Sequence, residues 1–136
     1  MLPGVNPARQ AVEFETDERC HIQEIANDAD DELVSIARAR VEPGVTTAWH
    51  SLDGISERYI IVSGQGRVEI AELPPIDVEP GDVVRIPADC RQRITNTGAA
   101  DLLFYAVCAP PFQQSRYVNL ERDDAAPHRP QPDSNP

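Results

Sequence analysis

The sequence predicts an all-β chain, a β-sandwich or a β-barrel, and three observations carry that prediction. Short runs rich in Val, Ile and Leu recur along it, several with apolar residues at alternate positions. Gly-, Pro- and Asp-bearing turn signals separate those runs at intervals of eight to twelve residues. No segment keeps helical periodicity over a useful length; Asp28 to Arg38 can be forced into a helix, but Val34 and Ile36 fit a strand better. A chain of 136 residues is one domain's worth, enough for a single core.

Met1 to Ala11 holds Pro and Gly and reads as a lead segment. Val12 to Thr16 and Cys20 to Ala26 follow as strands, then an acidic turn from Asn27 to Glu32. In Leu33 to Val41 the alternation puts Arg38 and Arg40 on one face and Ala37, Ala39 and Val41 on the other. Glu42-Pro43-Gly44 turns the chain. On the next strand Thr46, Ala48, His50 and Leu52 share a face, while Trp49 points away. After Asp53-Gly54, one face of a strand carries Glu57, Tyr59 and Ile61, and the other Arg58, Ile60 and Val62. A strand apolar on both faces is expected to be buried on both, inside the barrel and under a partner or second layer. Ser63 to Gly66 reads as a hairpin, followed by strands at Arg67–Ala71, Ile76–Val78, Val83–Ile86, Arg91–Thr95 and Leu102–Cys108. That makes nine or ten strands, with Ala109 to Phe112 ending the pattern. The domain expectation is a lead over 1–11, a barrel over 12–119 and a disordered tail over 120–136, where Pro and charge dominate.

Composition narrows the function classes. There are 23 acidic residues against 12 basic ones, a net charge of −11, and every base is Arg. Nucleic acid and anionic membranes are poor partners for such a surface. Without Lys, Schiff-base chemistry is excluded. Cys20, Cys90 and Cys108 are isolated and odd in number, so neither a disulfide scaffold nor a Cys-based zinc knuckle is expected, and a cytoplasmic setting fits. No phosphate loop, dinucleotide fingerprint or nucleophile elbow occurs.

Two spaced motifs remain. Gly44 is followed after five residues by His50-Ser51-Leu52, after four more by Glu57, and after six more by Gly64. Gly81 is followed after five by Pro87-Ala88-Asp89, after two more by Gln92, and after three more by Asn96. In these spacings the chain resembles the cupin superfamily, small double-stranded β-helix (jelly-roll) barrels. The resemblance covers about residues 33 to 112 and implies that fold. It also implies a divalent metal (Fe, Mn, Ni, Zn or Cu), which the family usually holds with three His and one Glu. Here His50 and Glu57 match, Gln92 stands at the third ligand position and Leu52 at the fourth; Asp89 replaces a glycine. An amide oxygen is a weak, neutral ligand, so the site is depleted.

Two functions follow. One is a metal-dependent oxygenase, isomerase or lyase, with His50, Glu57 and Gln92 as metal ligands and Tyr59 as a proton donor. The other is a non-catalytic, metal-free module that binds or senses a small molecule, with His50, Glu57 and Gln92 hydrogen-bonded to one another. In either, Thr46, Ala48, Leu52, Tyr59 and Gln92 are expected to line the ligand pocket. Arg91 and Arg93 alternate with Gln92 and are expected to face outward, and His21 and His128 are read as surface residues. A homodimer is expected, since small cupins pair through sheet faces and N-terminal strands.

Overall fold

The computed structural model describes residues 1–121; the remainder of the expected tail, with His128, lies outside the described residues. Among the described residues eleven strands form two antiparallel sheets, a double-stranded β-helix as expected. In chain order they are β1 (Glu13–Glu15), β2 (His21–Ala26), β3 (Ser35–Val41), β4 (His50–Leu52), β5 (Ser56–Ser63), β6 (Gly66–Ile70), β7 (Ile76–Val78), β8 (Val83–Ile86), β9 (Gln92–Asn96), β10 (Leu102–Ala109) and β11 (Tyr117–Asn119). The first sheet runs β1-β2-β3-β10-β5-β8, the second β11-β4-β9-β6-β7. Among the described residues no helix is long and apolar enough to cross a membrane.

The core lies between the sheets because alternation puts one apolar set inward on each strand. On β10, Leu102, Phe104, Ala106 and Cys108 are buried, and their neighbours are half-buried on the outer face. Leu102, Phe104 and Ala106 share a cluster with Ile61 of neighbouring β5 and with Val68 of β6 and Ile94 of β9 from the facing sheet, while Cys108 packs with Leu52 and Ile55. On β3 the expected split holds: Ala39 and Val41 go inward, Arg38 and Arg40 outward. On β5 only one face is covered within the protomer. Glu57, Tyr59 and Ile61 are buried, whereas Ile60 and Val62 remain exposed.

Three local readings change. Ser63 to Gly66 is no hairpin: β5 pairs with β10 and β8, β6 with β7 and β9, so this turn carries the chain from one sheet to the other. Gly64 is essential there, with φ of +88° and a would-be Cβ only 2.6 Å from the Asp101 carbonyl oxygen. The chain also pairs again after Phe112, as β11 against β4, and Leu120 and Glu121 are tied down beyond it. Third, the run from Thr46 to Leu52 is strand only from His50 onward. Upstream, the Thr47 amide donates to the Ile94 carbonyl, the Ala48 amide to the Glu18 carbonyl and the Trp49 amide to the Glu121 carboxylate. Irregular pairing breaks the alternation.

Candidate functional site

The site is built where the two sheets face each other. His50 on β4 and Gln92 on β9 are direct cross-strand partners, so their side chains share the inner face of the second sheet. Opposite them, Glu57 and Tyr59 project two residues apart from the inner face of β5. All four are at least nine-tenths buried.

Gln92 joins the two faces. The Tyr59 hydroxyl donates to Gln92 Oε1 at 2.5 Å, and Gln92 Nε2 donates to Glu57 Oε1 at 2.8 Å. Cys108, cross-strand from Glu57 on β10, approaches Glu57 Oε2 with its Sγ at 3.6 Å. His50 is held separately. Its Nδ1 lies 2.8 Å from the Ala48 carbonyl oxygen, which can only accept, so Nδ1 carries the proton and Nε2 is left over. The imidazole stacks on Tyr117, with centroids 5.1 Å apart and planes 18° apart. Glu18 Oε2 is 3.8 Å from His50 Nδ1.

Burial sets the electrostatics. Desolvation pushes the Glu57 carboxyl above the usual carboxylate range; the Gln92 hydrogen bond and nearby His50 offset only part of that. Burial also drives Tyr59 well above the ordinary phenol value, with Glu57 adding to the rise. The Cys20 and Cys108 thiols are pushed up chiefly by burial, so neither is poised as a thiolate nucleophile.

These side chains line one cavity of about 570 Å³. His50, Leu52, Glu57 and Tyr59 lie on its wall, and Gln92 stands behind them, bridging. Thr46 and Ala48 do not line it. Thr46 turns to Thr95, hydroxyl to hydroxyl at 2.8 Å, and Ala48 is buried elsewhere, while Thr47 takes the lining position. Arg91 and Arg93 face outward, their guanidinium carbons 4.8 and 4.3 Å from the Trp49 ring centroid. Cys90 is not a lining residue, and His21, read as a surface residue, is half-buried with its Nε2 2.7 Å from Glu42 Oε2.

Sequence reasoning missed the rim. Phe14, Glu15, Thr16, Glu18, Gln114 and Tyr117 come from β1, the loop after it, and the segment entering β11. The acidic, aromatic composition of E-F-E-T-D-E was the available signal. It went unread because β11 and the docking of that loop on Thr46 and Ala48 depend on pairings between segments far apart in sequence.

The donor set does not suit a resident divalent metal. Gln92 Oε1 is engaged by Tyr59, Leu52 is apolar, and what remains is His50 Nε2 and a carboxylate already holding an amide and a thiol. Among the described residues no group of three or more His, Cys, Asp or Glu could hold a metal ion.

No curated protein matches the chain in sequence. Solved structures match in fold. Streptomyces Pac13, described as a unique nucleoside dehydratase, aligns at 16% identity with a TM-score of 0.72, covering 87% of this chain and 91% of that one. A tyrosine-to-phenylalanine variant of it holds uridine, at 17% identity, TM-score 0.72 and coverage of 88% and 92%. KdgF from Halomonas aligns at 15% identity, TM-score 0.68, over 90% of this chain and all of that one. A Thermotoga maritima protein described as a predicted oxalate decarboxylase aligns at 21%, TM-score 0.69, over 79% and 99%. At such identities the likeness is one of fold. The family model for the cupin domain matches residues 37–108, just over half of the 136, and the chain belongs to the cupin family.

Proposed function

We propose that the chain is a small-molecule enzyme of the lyase or isomerase kind that works by acid–base chemistry and needs no metal. The arrangement that carries this is a cavity lined from facing sheets by Glu57, whose carboxyl burial pushes above the usual carboxylate range, and by His50, whose Nε2 has no hydrogen-bond partner among the described residues. Groups whose environments differ this way divide acid from base. In a dehydration, His50 Nε2 takes a proton from a carbon next to a carbonyl, and the electron pair moves to form the new C=C. Glu57 gives its proton to the departing hydroxyl, and water leaves. His50 then loses, and Glu57 regains, a proton through the open mouth. Tyr59 and Gln92 act as positioning residues, since the Tyr59 proton is engaged with Gln92. The same barrel carries a dehydratase in the Streptomyces neighbour, which supports the reaction class.

The test is turnover by chelator-treated protein. Nucleosides and sugar-derived hydroxycarbonyl compounds are incubated in D2O and followed by proton NMR for loss of water or deuterium uptake at carbon. Turnover that survives the chelator and disappears in His50→Gln and Glu57→Gln supports the reading. Stoichiometric Fe, Mn, Ni, Zn or Cu in protein purified without added metal, lost in His50→Ala and Glu57→Ala, overturns it in favour of the metal-dependent enzyme. Ligand binding without turnover favours the binding or sensing module.

The homodimer is proposed through the outer face of the first sheet, supported by Ile60, Val62 and Val83, which are 41%, 46% and 53% exposed. Ile60 and Val83 are cross-strand partners, so the patch is continuous. Sedimentation of Val62→Glu as a monomer beside a dimeric wild type is the expected result.

A further inference from the structure

The cavity's charge is one-sided. Glu15, Asp17, Glu18 and Glu24 line it besides Glu57, and among the described residues no Arg does. Strand alternation explains the absence. Arg38 lies on the β3 face opposite Ala37 and Ala39, which line the cavity; Arg58 and Arg85 are exposed on β5 and β8; Arg91 and Arg93 cover Trp49. Arg19, next to the rim in sequence, is occupied elsewhere: its Nε donates to the Thr46 carbonyl and its Nη2 to both oxygens of Glu121. Among the described residues Glu15, Asp17 and Glu24 have no Arg or His within salt-bridge distance.

A second observation points into the same cavity. His50 is 5% exposed, and among the described residues its Nε2 has no hydrogen-bond partner. A polar nitrogen this deeply buried on a cavity wall needs a partner from the cavity. Phe14, Phe112 and Tyr117 add aromatic faces around the same space. Carboxylates beside aromatic faces attract an organic cation twice over, by charge and by the ring quadrupole. A phosphate or carboxylate would have to pass the rim acids and would find no Arg among the described lining residues.

We propose that this cavity selects a small organic amine, protonated at neutral pH, and rejects phosphorylated and carboxylated molecules of the same size. The proposal rests on reading the cavity as the substrate site. It adds that the rim, drawn largely from outside the matched cupin region, sets the substrate's charge.

The experiment uses scaffold-matched probes, the amine, alcohol and carboxylate on phenylethyl, cyclohexyl and ribosyl bodies, with binding to the full chain read by calorimetry and saturation-transfer NMR. The amine of at least one body is expected to bind about tenfold or more tightly than its carboxylate at about 50 mM salt, and the ratio should shrink at about 500 mM. The triple variant Asp17→Asn, Glu18→Gln, Glu24→Gln should bring the ratio close to one, and the salt series reads the same effect without any substitution. Carboxylates binding as tightly as amines, a ratio indifferent to both salt and variant, or no amine binding below about 10 mM would each overturn the proposal. The two readings fail separately. Amines preferred but never turned over count against acid–base catalysis alone; turnover of an anionic substrate counts against the charge selection alone.

Discussion

Gln92 Nε2 stands 2.8 Å from Glu57 Oε1, and this one amide proton links the two sheets across the barrel's interior. The same amide accepts from Tyr59, so removing it strands a hydroxyl and a carboxyl oxygen on two buried side chains. Gln92→Leu, close in shape, should therefore cost about 2–4 kcal/mol, roughly the penalty for two buried groups left unpaired. Tyr59→Phe removes one bond and should cost about 1–2 kcal/mol. Urea unfolding midpoints check the order. If Gln92→Leu is no more costly than Tyr59→Phe, the bridge does not hold the sheets as described.

Glu57 gives stability a pH dependence whose sign can be worked out. Its carboxyl titrates above the ordinary value of 4.5 in the folded chain because burial penalises the charge. The folded state then binds more protons than the unfolded one, so unfolding free energy falls as pH rises from about 4.5 through the folded pKa. Below that window the contribution is fully present. Wild type minus Glu57→Gln isolates it from the many surface carboxylates. The difference in urea midpoint should decline with rising pH; a flat difference from pH 4 to 8 would show that Glu57 is ionised with ordinary ease.

His50 and Glu57 were legible because motif spacing fixes which residues occupy the inner face of β4 and β5. Arg91 and Arg93 were legible for the same reason, period-two alternation about Gln92. Thr46 and Ala48 were misplaced because that alternation needs a regular ladder, and residues 47–49 bond instead to Ile94, Glu18 and Glu121. Tyr117 and Glu18 were invisible for a related reason. Their meeting with His50 depends on β11 closing on β4 and on the loop before β2 docking there, and no local pattern encodes pairings as distant in sequence as Tyr117 with Leu52 or Glu18 with His50.

The depleted donor set can be refilled. Leu52 lies two residues from His50 on the same face and already lines the cavity, and Gln92 is the cross-strand partner of His50. Leu52→His with Gln92→His would add two imidazoles beside His50 and release Glu57 from its amide. Three imidazoles and a carboxylate are strong ligands for divalent transition metals, so Ni(II) or Co(II) affinity should rise by at least about a hundredfold. Isothermal titration of the folded double variant measures this. Wild-type affinity in the double variant would mean that these positions do not converge on one point.

The motif glycines separate two causes of glycine dependence. Gly64 and Gly81 both have φ in the left-handed region, at +88° and +96°. At Gly81 an added Cβ meets nothing within 4 Å, so Gly81→Ala should cost about 1–2 kcal/mol, the backbone penalty alone. At Gly64 the Cβ would fall 2.6 Å from the Asp101 carbonyl oxygen and 2.9 Å from Leu102 Cα, both backbone atoms beside β10. The sheet-crossing turn or the start of β10 must then move, and Gly64→Ala should exceed Gly81→Ala by about 2 kcal/mol or more. Asp89 is the natural control, a non-glycine residue at φ of +70° where the family pattern has glycine. Its carboxylate accepts the Gly54 amide at 2.8 Å, which offsets the strain by tying the turn after β4 to the turn before β9. Asp89→Gly should thus change stability by less than about 1 kcal/mol, relief and loss nearly cancelling, whereas Asp89→Ala keeps the strain, loses the bond and should cost about 1–2 kcal/mol. Equal urea midpoints for Asp89→Gly and Asp89→Ala would mean that the left-handed backbone carries no strain at this turn.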